Sequence, residues 1–318
     1  MDENTVTNTN EPAQSSVTGP DSSVPLISAN QTKKQSLPYK IWRVIYPLFL
    51  FLGIQIAGSL VMIVYYAVTV MVPNMNQGIV TPDMSAQMVE WLVGQALMLT
   101  LICDLAILPV YAFLYIRQIK GQRRAVISSF KIADYVLVAA LAVAADFAIT
   151  YILISFNIEQ YFPDYQNIMS GIINSSFILQ IIAVGIVAPV VEKFLMRGVI
   201  LNRLLGYMRV IPALLIQAAL FGILHMNLLQ GVYAGVLGLL MGYIYIKYGS
   251  LLMTILFHVT LNTLSVVFPK SFAEGVNPFY ILIPALLVTV GILWLINRRG
   301  DSVMFFSNRK MEKVPQEE

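Results

Sequence analysis

The sequence is poor in charge, almost free of cysteine, and holds two histidines. Only 12% of its 318 residues are charged, against about 25% in soluble domains. That shortage excludes a chain that covers itself with polar surface in water. The single cysteine, Cys103, excludes a disulfide framework and a Cys-x-x-Cys metal site. Lying inside an apolar run, it reads as a small buried hydrophobe. No signal-peptide pattern opens the sequence. Neither end carries a lipidation motif: the start is not Met-Gly, and the last residues are Gln316-Glu317-Glu318,. Residues 1–32 lack a long apolar run and are rich in Ser, Thr, Asn, Gln and Pro. Such a stretch cannot bury enough surface to fold. The expectation is a disordered cytosolic tail over 1–40 and a second cytosolic tail over 301–318.

Apolar residues are abundant: 58% of the chain is hydrophobic and the mean hydropathy is +0.73. Lipid is the solvent such a composition requires. Apolar runs fall at 44–72, 91–116, 133–156, 173–204, 211–229, 231–247, 250–268 and 278–297. The fold expected is all-α, a polytopic bundle of about eight transmembrane helices over 41–300. Glu192, Lys193 and Arg197 interrupt the fourth run, and Pro189 should kink it by removing a backbone donor. Gly231, Gly235, Gly238 and Gly242 line the sixth, which points to close helix packing there.

Charge sets the orientation. Lys33, Lys34, Lys40 and Arg43 precede the first run, and Arg117, Lys120, Arg123, Arg124 and Lys131 follow the second. Arg203, Arg209, Lys247, Arg298, Arg299, Arg309, Lys310 and Lys313 continue on the same side. The opposite loops carry Asp83, Glu90, Glu159, Asp164 and Glu274 with one cation, Lys270. Basic loops mark the cytosol, so both termini are expected there, as an even number of spans requires. Cations clustered between apolar runs suit a membrane rather than nucleic acid.

Ionisable groups inside the bilayer are expensive and are functional candidates by default. They are Asp104, Asp146, Glu192, Lys193, Arg197, His225 and His258. The two aspartates read better as partners of a cation or a hydroxyl. At 1.5 Å per residue, Glu192, His225 and His258 lie about 16, 21 and 12 Å from the cytosolic ends of their runs. All three can therefore meet in the middle third of the core. His258 and Asn262 are four apart and share a helix face, as do Phe221 and His225. A His–Asn pair can donate two hydrogen bonds to a developing oxyanion, and a Glu–His pair can deprotonate a water. A membrane histidine is also often only an interhelical hydrogen-bonder.

The order Glu192-Lys193-Phe194-Leu195-Met196-Arg197, then Phe221-Gly222-Ile223-Leu224-His225, then His258-Val259-Thr260-Leu261-Asn262 resembles the CPBP family. These are the CAAX-protease and bacteriocin-processing, or Abi, intramembrane proteases. The family pattern is Glu-Glu-x-x-x-Arg, Phe-x-x-x-His, His-x-x-x-Asn on successive helices of an eight-helix bundle. The resemblance covers roughly 177–268. It implies that Glu192 and His225 activate water and that His258 and Asn262 form the oxyanion site. Arg197 is implied as structural and Phe221 as a packing aromatic. It implies a peptide or membrane-protein substrate, with family roles that include CAAX processing and bacteriocin maturation or immunity. Both metalloprotease and glutamate-type descriptions exist in the family. If zinc is bound, Glu192, His225 and His258 are the expected ligands, a set that leaves an open position.

One residue departs from the pattern. Lys193 stands where the family has its second glutamate. Lys193 and Arg197 then form a mildly repulsive pair at i, i+4. Arg197 is expected to pair with Asp104, Asp146 or Glu192, and Lys193 to snorkel toward the interface. The departure motivates a second reading, a catalytically inactive relative acting as a scaffold or regulator for a cell-envelope protein. A proton-coupled transporter ranks lower, because no inverted repeats or paired broken helices occur. His-Glu-x-x-His, Gly-x-Ser-Gly and Gly-x-Gly-Asp are absent, which excludes the zinc, rhomboid and presenilin-like intramembrane protease motifs. A bacterial cytoplasmic membrane is the expected location, with the endoplasmic reticulum as the alternative.

Overall fold

The structure is a computed structural model and describes residues 35–78, 83–120, 130–268 and 275–299. Most of the expected tail over 1–40, the tail over 301–318, and the loop charges Arg123, Arg124, Lys270 and Glu274 lie outside those residues. Among the described residues there are helices and no strands. Lipid offers no hydrogen bonds to the backbone, and a helix satisfies its own.

Six helices are long and apolar enough to cross a membrane. We label them with two shorter apolar helices in chain order: α1 Leu37–Asn76, α2 Met84–Ile119, α3 Ile132–Ser155, α4 Phe177–Tyr207, α5 Val210–Ile223, α6 Leu228–Tyr248, α7 Leu251–Val267 and α8 Phe279–Arg298. A short helix, Pro163–Ile173, joins α3 to α4. The expected eight apolar segments are thus present, with two shifts. α1 begins at Leu37, inside the range expected to be tail, because Pro38 is suited to a first helical turn, where its missing donor costs nothing,. The fifth helix stops at Ile223, six residues before the expected end of its run.

The bundle is turned inside out relative to a soluble protein. Ile56, Val64, Ile102, Phe113, Ile211, Leu287 and Val290 are exposed on its flanks, an apolar surface far larger than a water-soluble monomer carries. The core holds Tyr111, Val138, Leu141, Val191, Leu195, Phe221, Met241 and Phe257. α4 runs through this core and touches α1, α2, α5, α6 and α7. α5 and α6 form a closely packed hairpin, and α3 packs on α7 and α8.

Cations gather at one end. Arg203 donates to Tyr46, Gln118 and the Arg43 carbonyl, tying α4 to α1 and α2. Lys247 donates to the Asn297 carbonyl at 3.1 Å, and Arg299 pairs with Asp134 at 3.5 Å. Arg298 lies 3.9 Å over Trp294. Elsewhere on α1 and α2, Trp91 packs on Tyr65 and Tyr66. Such aromatics favour the headgroup level of a membrane.

Candidate active site

α4 does not break at Pro189. It widens into π-helical turns over Ile181–Val187 and Phe194–Leu201, with the six α-helical residues Ala188–Lys193 between them. Proline has no N–H, so the carbonyls one turn earlier lose their helical donor. Two side chains of α7 supply it: Asn262 Nδ2 donates to the Val184 carbonyl at 3.0 Å, and Thr263 Oγ to the Gly185 carbonyl at 3.4 Å. Gly185 allows this approach, since a Cβ there would meet Thr263 Oγ at 2.9 Å. A neighbouring helix that satisfies freed carbonyls is how membrane helices tolerate proline. Single π turns recur at functional sites, and here they flank Glu192.

Glu192 is the accessible acid of the cluster, with 19% of its side chain exposed. Its Oε2 lies 3.5 Å from His258 Nδ1 on α7. That nitrogen is buried and has no other partner among the described residues. The same Oε2 is 3.3 Å from Lys193 Nζ. Lys193 does not snorkel. It is 0% exposed, because its ammonium turns back to the carboxylate and onto the face of Phe221, 4.3 Å from the ring centre.

Phe221 is the common support. Arg197 stands over its ring at 4.8 Å, and His225 and His258 meet it edge-on at 4.9 and 6.0 Å. Cations are attracted to an aromatic face, which offsets the repulsion between Lys193 and Arg197. Arg197 is fully buried and donates to the Gly238 carbonyl at 3.2 Å. Its expected pairing with Asp104, Asp146 or Glu192 is corrected: Asp104 accepts from Gln55 at 3.2 Å, Asp146 from Ser265 at 2.5 Å, and the Glu192 carboxylate faces Lys193 and His258. Both aspartates thus have neutral partners on their own flanks of the bundle.

His225 lies in the turn after α5, not within a helix. Its Nδ1 is 2.8 Å from the Phe221 carbonyl. A carbonyl only accepts, so Nδ1 carries a proton there, and in the neutral imidazole Nε2 is left as the acceptor. The next residue, Met226, has a φ of 53°, a left-handed conformation costly for a residue with a Cβ. Asn227 then caps α6, its Oδ1 accepting from Gln230 N. An Asn three residues before a glutamine and an apolar run is an N-cap signal in the sequence. The role of Thr263 depends on a proline 74 positions earlier and leaves no local trace.

Among the described residues no three His, Cys, Asp or Glu side chains stand close enough to hold a metal ion. The Glu192 carboxylate already faces the Lys193 ammonium, with Arg197 behind it, and two fixed cations oppose a divalent ion at this place. The arrangement does not fit a Zn(II) centre on Glu192, His225 and His258.

An apolar groove of about 320 Å³ lies between α5 and α6, lined by residues that include Gly222, Ile223, Met226, Asn227 and Gly231. It opens beside the turn that carries His225.

These features define a polytopic helical membrane protein with a Glu–His–Asn cluster gathered from two helices, α4 and α7, and a second histidine on the turn after α5. Residues 174–264 match a family model, Rce1-like: Type II CAAX prenyl endopeptidase Rce1-like. The resemblance to the CPBP family holds over that segment, and all three motifs lie inside it. No curated protein and no solved structure gives a match.

Proposed function

We propose that the protein is an intramembrane endopeptidase of the CAAX-protease type, cleaving a peptide or membrane-protein substrate without a metal. The observation that carries this reading is the placement of Glu192 Oε2 3.5 Å from an otherwise unpartnered His258 Nδ1, within the matched segment. Glu192 takes a proton from the attacking water, with His225 Nε2 as a second acceptor for that water. The tetrahedral oxyanion is met by the Asn262 N–H not used by the Val184 carbonyl, and by His258 Nε2, which donates once the imidazole carries a proton on both nitrogens. Glu192 then returns the proton to the leaving amine, so that water adds across the peptide bond. Loss of a general base costs roughly 10²–10⁴-fold in rate, and loss of an oxyanion donor about 10²–10³-fold.

Both termini are assigned to the cytosol. The clustering of Arg203, Lys247 and Arg299 contacts at helix ends supports that orientation. The membrane assigned is the bacterial cytoplasmic membrane.

The ion pair of Lys193 with Glu192 favours a second reading, an inactive relative that holds a cell-envelope protein. One experiment separates the two. Protein termini are compared by mass spectrometry in a null strain, a wild-type strain, and a strain with Glu192→Ala at verified membrane level. Termini that appear only with wild type establish the protease and identify its substrate. Identical termini, with a null phenotype rescued by both forms, establish the scaffold.

A further inference from the structure

We propose that Lys193 is a positioning residue: its ammonium locks one oxygen of Glu192 so that the other faces the attacking water. The proposal rests on the endopeptidase reading above. A lysine is almost never fully buried unless it is paired, yet Lys193 is 0% exposed. Its two supports are Glu192 Oε2 at 3.3 Å and the Phe221 ring at 4.3 Å. Successive helix residues diverge by about 100°, so this contact requires the lysine chain to curl back over its own helix. Buried packing around Lys193 and the aromatic face of Phe221 hold it there.

The geometry at the carboxylate gives the contact its consequence. Lys193 Nζ and His258 Nδ1 both address Oε2, at 3.3 and 3.5 Å. No described residue bonds to Oε1, and the side chain keeps 19% of its surface open. Two contacts on one oxygen fix the orientation of the carboxylate plane and leave Oε1 as the free basic atom. Arg197 does not compete for the carboxylate, because its hydrogen bond goes to Gly238 and its face to Phe221. A lysine at 193 therefore supplies directly, from the next residue in the chain, the cation that orients the base. A glutamate there would put a second carboxylate beside the first.

The test uses the full chain in lipid nanodiscs and in cells. The Glu192 carboxylate stretch is isolated as the infrared difference between wild type and Glu192→Gln. Lys193→Met, close in length and uncharged, is expected to shift and broaden that band. Lys193→Arg is expected to keep it narrow. In cells, Lys193→Met should lower Glu192-dependent processing by roughly 100-fold, the scale of a misplaced reacting group, and Lys193→Arg should retain most of it. An unchanged band or undiminished processing in Lys193→Met overturns the proposal. If Lys193→Met does not fold, Lys193→Gln carries the same expectations, since it fills the space without charge. If wild type processes nothing, the endopeptidase reading fails, and the infrared band still decides whether Lys193 orients Glu192.

Discussion

Removing the ring of Phe221 would release four polar side chains at once, because Lys193, Arg197, His225 and His258 all lie against it. Phe221→Leu keeps an apolar filler and loses the aromatic face. With two desolvated cations on that face, each contact worth up to about 2 kcal/mol, the variant should be less stable by about 2 kcal/mol or more. Thermal unfolding in lipid nanodiscs measures it, and an unaltered midpoint would show that the ring is only filler. Met226 offers the opposite case. Its φ of 53° stores about 1–2 kcal/mol, so Met226→Gly should raise the midpoint. Zinc dependence is also testable at this scale. Chelator treatment should leave Glu192-dependent processing intact, and inhibition reversed by added Zn(II) would contradict the cation arrangement around Glu192.

At the scale of elements, the informative feature is the pair formed by Pro189 in α4 and the Asn262–Thr263 face of α7. Thr263→Val should destabilise the protein by about 0.6 kcal/mol, an average interhelical hydrogen bond in a membrane. In a Pro189→Ala background the cost should shrink, because the helix then supplies its own donor to the freed carbonyl. A double-mutant cycle reads the coupling, and strict additivity would refute it. The hairpin of α5 and α6 makes a second prediction. A Cβ on Gly222 would stand 2.4 Å from the Gly231 carbonyl oxygen, so Gly222→Val should force the helices apart and displace the His225 turn. Loss of processing should accompany lowered stability.

This is also the scale at which the sequence is easiest and hardest to read. Eight apolar runs were legible from composition alone, since a bilayer demands long uninterrupted apolar helices. The Glu192, His258 and Asn262 set was legible from spacing and resemblance. The early end of α5 was not: Leu224, Met226, Leu228 and Leu229 continue the apolar run around His225, and only Asn227 signals the break. Nor was the fate of Lys193. Snorkelling is the usual expectation for a membrane lysine, but it was overridden by an aromatic ring from another helix, α5, 28 positions away.

For the whole molecule, the orientation rests on which end bears the cations. Cys103 is buried, so introduced cysteines can be labelled with little background. Tyr161→Cys, at an exposed position between α3 and α4, should react with a membrane-impermeant maleimide in intact cells. Ile211→Cys, exposed at the start of α5, should react only after permeabilisation. The reverse pattern would invert the assigned topology.

The shortness of α5 has a consequence for the lipid itself. Its 14 residues reach about 21 Å, while the hydrocarbon core is about 30 Å thick. Hydrophobic mismatch of this kind is relieved by local thinning of the bilayer. Thinning of this kind would fall where α5 ends, beside the His225 turn and the α5–α6 groove. A polar peptide bond approaching there would cross less hydrocarbon than beside the longer helices. Under the endopeptidase reading proposed above, the short helix would lower the barrier for the two reactants that lipid excludes most strongly, an amide and a water molecule, to meet at Glu192.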